Sequence, residues 1–146
     1  MLNGSRVIAV VPARAGSKGV PRKNLKLLGG KSLIAWPIDT AHNVREIDRV
    51  IVSTDGSDIA EAAVKLGAEV FLRPSELATD EAVVIDALRD LIARLRGEGE
   101  TARYMVLLEA TSPLRAVSDV RDCLTLLADQ KLDSVATFKD ADLPPA

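Results

Sequence analysis

This chain is short of several residues that would announce a function. It has one cysteine, Cys123, which excludes an intramolecular disulfide framework and a cysteine-based metal cluster and fits a reducing cytoplasm. Cys123 itself reads as a small buried hydrophobe. Aromatic residues make up 3% of the chain, too few for the stacking platforms that hold single-stranded nucleic acid. The only histidine, His42, lies in a helical stretch and reads as an exposed or half-buried side chain. Long apolar runs are also missing. The first one, starting at Val7, stops at Pro12, shorter than the roughly 7 to 15 residues of a secretory core, and nothing later approaches the ~20 residues of a membrane span. The expectation is a soluble, cytoplasmic protein with neither nucleic acid nor membrane as partner. At 146 residues and 47% hydrophobic content, the chain can form one domain, 1–146, that buries about two-thirds of its unfolded surface.

Acidic residues are absent from Met1 to Ile38, whereas Arg6, Arg14, Lys18, Arg22, Lys23, Lys26 and Lys31 all fall there. The remainder carries 12 basic against 21 acidic residues, so the formal net charge of −2 conceals a strong asymmetry. A local positive field on an otherwise acidic chain suits a small polyanion. The field centres on Val11-Pro12-Ala13-Arg14-Ala15-Gly16-Ser17-Lys18-Gly19-Val20-Pro21-Arg22-Lys23-Asn24, which follows the apolar run Val7-Ile8-Ala9-Val10. An apolar run bounded by Pro and Gly reads as a buried strand. The loop after it is built for anions: Gly16 and Gly19 let main-chain N–H groups approach a ligand, and Arg14, Lys18, Arg22 and Lys23 add charge. A triphosphate is the natural guest. The loop is not a Walker A motif, because the glycine needed ahead of Gly30-Lys31-Ser32 is replaced by Leu25, and no dinucleotide-type G-x-G-x-x-G occurs.

The rest of the chain alternates strand and helix signals. A helix is expected over Ser32 to Asn43, with Ser32 as a cap and Pro37 limiting how early it becomes regular. Arg49 to Thr54 reads as a strand, Ile59 to Leu66 as a helix stopped by Gly67, and Ala68 to Leu72 as a strand. Glu81 to Arg96 places Val84, Ile85, Leu88, Leu91, Ile92 and Leu95 on one helical face. Tyr104 to Leu108 is continuously apolar, as expected of a central strand covered on both faces. A helix over Ser118 to Gln130, facing inward through Val120, Leu124 and Leu127, and a strand over Asp133 to Phe138 complete the pattern. Such alternation predicts an α/β fold, a Rossmann-like, twisted, mainly parallel sheet with helices on both faces. Sites in such sheets lie at the carboxyl ends of the strands. The polar sequences after the strands should therefore converge: the loop from Pro12, Ser53-Thr54-Asp55, Arg73 with Asp80, and Glu109-Ala110-Thr111-Ser112.

The order of residues from Pro12 to Asn24 closely resembles the nucleotide-binding loop of the acylneuraminate (CMP-sialic acid, or CMP-nonulosonate) cytidylyltransferases. Four further segments extend the resemblance from about Val7 to Phe138: Val52-Ser53-Thr54-Asp55, Arg73 to Asp80, Leu107 to Arg115, and Asp133-Ser134-Val135. The resemblance implies a fold of the nucleotide-diphospho-sugar transferase type. It also implies an enzyme in which the anomeric hydroxyl of an acidic 2-keto sugar, N-acetylneuraminate or a related nonulosonate, attacks the α-phosphorus of CTP, giving the CMP-sugar and pyrophosphate. Catalysis there is alignment plus charge neutralisation, with Mg²⁺ as cofactor. By resemblance, Arg14 and Lys23 contact the phosphates as catalytic residues. Ala13, Gly16, Ser17 and Gly19 complete the cradle, Asn24 lies beside the nucleotide, Arg73 and Asp80 stand around cytosine and ribose, and Glu109, Thr111 and Ser112 fit the sugar-binding turn.

Departures from the family pattern are informative. Glu109 stands where sialic acid enzymes commonly carry Gln, and Ala110 where many carry Pro. A glutamate beside an acidic sugar repels it unless protonated, hydrogen-bonded or near a metal, which points to a different nonulosonic acid or a metal contact. The family also continues past this point, through a dimerisation segment of the homodimer and the Asp pair that holds Mg²⁺; that pair would lie beyond Ala146. Asp140 and Asp142 read as a solvated loop rather than as that pair. Two alternatives remain: a 3-deoxy-manno-octulosonate cytidylyltransferase, which shares the Pro-Ala-Arg opening but is matched less well by Lys23-Asn24 and Thr111-Ser112-Pro113, and a non-catalytic CTP-binding module.

Overall fold

The computed structural model describes residues 1–16, 19–79 and 84–138. Six strands and four helices alternate through them. In chain order these are β1 (Val7–Pro12), β2 (Leu27–Leu28), β3 (Lys31–Ser32), α1 (Ala35–Asn43), β4 (Arg49–Thr54), α2 (Ser57–Lys65), β5 (Glu69–Leu72), α3 (Val84–Gly97), β6 (Tyr104–Leu107) and α4 (Val117–Asp129). Four of the strands form one sheet, ordered β5-β4-β1-β6 and parallel throughout.

The expected α/β architecture is there, and side-chain alternation shows how it is built. Successive strand residues point to opposite faces. On β1, Val7, Ala9 and Val11 enter one apolar cluster with Val50 and Val52 of β4. Ile38 and Ala41 of α1, Ile59 and Ala63 of α2, and Val120 and Leu124 of α4 cover that face. Ile8 and Val10 enter the other cluster with Ile51, under Leu88, Leu91 and Leu95 of α3. A strand buried on both faces can be apolar at every position, and Val7 to Val11 all are. The central place in the sheet therefore belongs to β1 and β4.

Tyr104 to Leu108 does not hold that central place. β6 pairs only with β1, and its outer edge has no strand partner among the described residues. Leu107 is 39% exposed. The expected strand over Asp133 to Phe138 forms no ladder either; residues 135–137 line one side of a groove of about 400 Å³ whose other side is β6 and α4. Extended preference is local, whereas a strand exists only with a hydrogen-bonded neighbour.

Ser32 caps no helix. Gly29 and Gly30 both adopt positive φ, 58° and 86°, which makes the two-residue turn of a hairpin joining β2 to β3, with Leu28 opposite Lys31. A side chain at Gly29 would also press on Trp36, 3.2 Å from its ring. The helix then starts at Ala35, with Pro37 tolerated in its first turn. On α3 the buried stripe is Ala87, Leu88, Leu91 and Leu95, while Val84 and Ile85, expected on that stripe, are 39% and 50% exposed. The expected start of that helix at Glu81, together with Lys18, Asp140 and Asp142, lies outside the described residues.

Candidate active site at the carboxyl ends of the strands

Because all four strands of the main sheet run parallel, their carboxyl ends share one edge, and the turns leaving β1, β5 and β6 meet there around a cavity of about 340 Å³. Pro12, Arg14, Gly16, Gly19, Lys23 and Asn24 line it from the basic loop, Arg73 from the end of β5, and Glu109, Ala110 and Thr111 from the turn after β6. Val84 at the start of α3 closes another part of the wall.

Each of these side chains is placed by its element. Ala13 is buried at 1% exposure behind the cavity, its amide donating to the Ser53 carbonyl at 2.9 Å, so it anchors the loop to β4 without lining the cavity. Asn24 sits in a short 3-10 turn, Lys23–Leu25, and its Nδ2 donates to the Arg14 carbonyl at 3.0 Å. Asn24 thus braces the loop from inside, in addition to facing the cavity. Arg14 donates to the Thr79 carbonyl at 3.4 Å. Lys23 has no acidic partner among the described residues.

Arg73 is held by oxygens that carry no full charge. Its Nη2 donates to the Ser53 carbonyl at 2.9 Å, its Nη1 to the Leu77 carbonyl at 3.4 Å, and its Nε to Ser53 Oγ at 3.4 Å. Burial pushes its pKa down and nearby Arg14 adds to this, while Asp55 opposes the shift. Two guanidiniums kept close in a partly desolvated wall favour an anion between them.

Not all the amino-terminal basic residues gather here. Arg6 lies at the opposite end of β1, donating to Glu100 at 2.8 Å, Arg22 pairs with Asp58 at 2.6 Å, and Lys31 pairs with Asp39. The cavity keeps Arg14, Lys23 and Arg73. Ser112, expected in the sugar-binding turn, lines the groove beside β6 rather than the cavity, whereas Glu109 lines both. Ser17 and Asp80 lie outside the described residues. As for a metal, the described residues contain no group of three His, Cys, Asp or Glu side chains able to hold one, and among them Glu109 is the one carboxylate that lines the cavity. Mg²⁺ is commonly held by one or two carboxylates with substrate phosphates, a role for which the described residues offer Glu109.

Asp55, expected with Ser53 and Thr54 among the converging turns but with no specific task, braces the site: its Oδ1 accepts the Ala15 amide at 2.7 Å. Its position directly after β4, at the same sheet edge, was the signal for it. The sequence of the chain matches the profile of the family described as Cytidylyltransferase over residues 8–142. The chain belongs to the cytidylyltransferase family. The match takes in every turn that reaches the cavity. Among curated relatives, the chain is 41% identical over 122 residues to the CMP-N,N'-diacetyllegionaminic acid synthase of Legionella pneumophila, covering 83% of this chain and 53% of that one. It is 34% identical over 141 residues to an N-acylneuraminate cytidylyltransferase of Streptococcus agalactiae, covering 95% of this chain and 33% of that one. The chain thus spans between a third and about half of the length of these two relatives. A solved CMP:2-keto-3-deoxy-manno-octonic acid synthetase complexed with CTP superimposes with a TM-score of 0.75 at 24% identity, over 87% of this chain and 49% of that one, a likeness of fold. No helix among the described residues is long and apolar enough to cross a membrane.

Proposed function

We propose that this cytidylyltransferase chain binds CTP in the cavity at the strand ends and carries the nucleotide half of a CMP-sugar synthetase acting on an acidic 2-keto sugar of the nonulosonate class. The observation that supports this best is the convergence of Arg14, Lys23 and Arg73, from turns distant in sequence, on one cavity. Three cations brought by separate turns to one cavity suit a triphosphate, whose charge grows on the leaving pyrophosphate during transfer. The relatives with the names quoted above act as the guide to the sugar.

In this reading Arg14 and Lys23 grip the phosphates, with the backbone at Gly16 and Gly19 close to them, and Arg73 donates toward the base or ribose. The sugar's anomeric hydroxyl approaches the α-phosphorus from the side of Glu109 and Thr111, in line with the departing pyrophosphate. Among the described residues Glu109 would be the carboxylate in the cavity to meet Mg²⁺ bound with the triphosphate, which would supply charge neutralisation. Homodimer formation and a cytoplasmic location belong to the same proposal.

Calorimetric titration with CTP, ATP and GTP tests the nucleotide reading. CTP is expected to bind most tightly, and a chain that binds no nucleotide overturns the proposal. Pyrophosphate release with N-acetylneuraminate, legionaminate and 3-deoxy-manno-octulosonate then tests the transfer step. CTP binding without release with any sugar would favour the non-catalytic module.

A further inference from the structure

The end of β4, the turn after it and the start of α2 line no part of the cavity, yet they hold the basic loop at three points. The Ser53 carbonyl accepts the Ala13 amide at 2.9 Å, Asp55 Oδ1 accepts the Ala15 amide at 2.7 Å, and Asp58 Oδ2 pairs with Arg22 at 2.6 Å. Between the last two lies Gly56, where a Cβ would come 2.9 Å from Ala15 Cβ and 3.0 Å from Asp58 Oδ1. The φ of Gly56 is −97°, so its backbone conformation suits any residue. Glycine is required there by space, because the loop rests directly on it.

Asp55 favours the charge of Arg73, yet an acid at this place also carries a cost. A carboxylate at the rim of an anion-binding cavity repels the ligand. That cost makes sense if the carboxylate fixes the loop, since a backbone N–H bonded to a carboxylate is held more firmly than one bonded to water. Ala15 sits between two cavity-lining residues, Arg14 and Gly16, so fixing its amide fixes the direction in which Arg14 leaves the chain.

We propose that Asp55 and Gly56 are positioning residues: together they form the seat that sets the height and direction of the Arg14 to Gly16 segment. The effect on ligand rests on the nucleotide reading above, while the seat itself is a property of the free protein. Asp55 acts through its accepting oxygen, and Gly56 acts by having no side chain.

Amide exchange followed by NMR in the 146-residue chain, paired with calorimetric titration of CTP, tests this. Asp55→Ala is expected to speed exchange of the Ala15 amide about tenfold or more and to weaken CTP binding about fivefold or more, with Val10 and Val52 amides unchanged. Asp55→Asn, which keeps an accepting oxygen, should restore slow exchange at Ala15, a rescue that a charge effect on the ligand would not give. Gly56→Ala should shift the Ala15 resonances and weaken CTP binding while the strand amides stay protected. An Ala15 amide that exchanges at its original rate in Asp55→Ala overturns the proposal, as does Ala15 left unshifted by Gly56→Ala. If Asp55→Ala also loosens the strands, Asp55→Asn and Gly56→Ala decide the matter by the same readouts. If the unaltered chain binds no CTP, the nucleotide reading fails, and the exchange and shift data alone decide whether the seat exists.

Discussion

Arg73 donates its hydrogen bonds to carbonyls and a hydroxyl, and no carboxylate among the described residues is hydrogen-bonded to it. Charge-assisted contacts of this kind contribute about 1.5 to 3 kcal/mol each. Replacing Arg73 by Met is therefore expected to weaken CTP binding about tenfold, and Arg73→Lys should fail to restore it because an ammonium lacks the planar fork. Calorimetric titration reads both. Lys23→Ala should lose at least tenfold, about 1.4 kcal/mol, in CTP affinity with the fold intact by circular dichroism. At this scale the sequence identified most of the cavity: Arg14, Gly16, Gly19, Lys23, Asn24, Arg73, Glu109 and Thr111 all line it. It could not separate lining from bracing. Ala13 is buried behind the wall, Asn24 is tied to the Arg14 carbonyl and Asp55 to the Ala15 amide, and these are relations across space that no spacing along the chain encodes.

Among the elements, those whose character comes from their own residues were the readable ones. β4 spans Arg49–Thr54 as expected, and Gly67, at φ 79°, follows α2 as its stop. What failed depended on neighbours. The apolar run of β6 marks it as a strand but says nothing of its rank across the sheet, and residues 133–138 form no ladder. The hairpin at Gly29-Gly30 is legible in principle as a two-glycine turn, but Ser32, the end of its second strand, reads as the cap of the helix that follows. α3 depends on its tertiary contacts: Leu91 is fully buried against Ile8, Val10 and Ile51 of the sheet. Leu91→Ala should cost about 2 to 5 kcal/mol in denaturant unfolding, since a cavity there has sheet on one side and helix on the other. A loss below about 1 kcal/mol would mean that α3 is not the cover of that face.

Across the whole molecule, charge separates by end. Arg14, Lys23 and Arg73 line the cavity at one end of the sheet, whereas arginines at the opposite end pair with acids. There Glu100 accepts from Arg6 and Arg49, and Arg49 also binds Glu69 at 2.7 and 2.9 Å. This network joins the starts of β1, β4 and β5 to the α3–β6 connection. Hydrogen bonds from Arg6, then Arg49, hold Glu100 at about 2 instead of 4.5, and Arg49 likewise lowers Glu69. A carboxyl whose pKa falls on folding stabilises the native state above its unfolded value and loses that contribution as pH drops. Stability should therefore be steady above about pH 5 and decline between pH 4.5 and about 2, as unfolding takes up protons. Urea unfolding at stepped pH measures this, and Glu100→Gln should lower stability at pH 7 and flatten the slope in that window.

The outer rim of β6 has a further consequence. Among the described residues no strand pairs with that edge, which borders the groove, so another extended backbone of suitable length could dock there. Concentrated samples should consequently self-associate, visible as light scattering that rises faster than concentration. A lysine at Leu107, already part-exposed on that strand, should suppress the rise by charge repulsion.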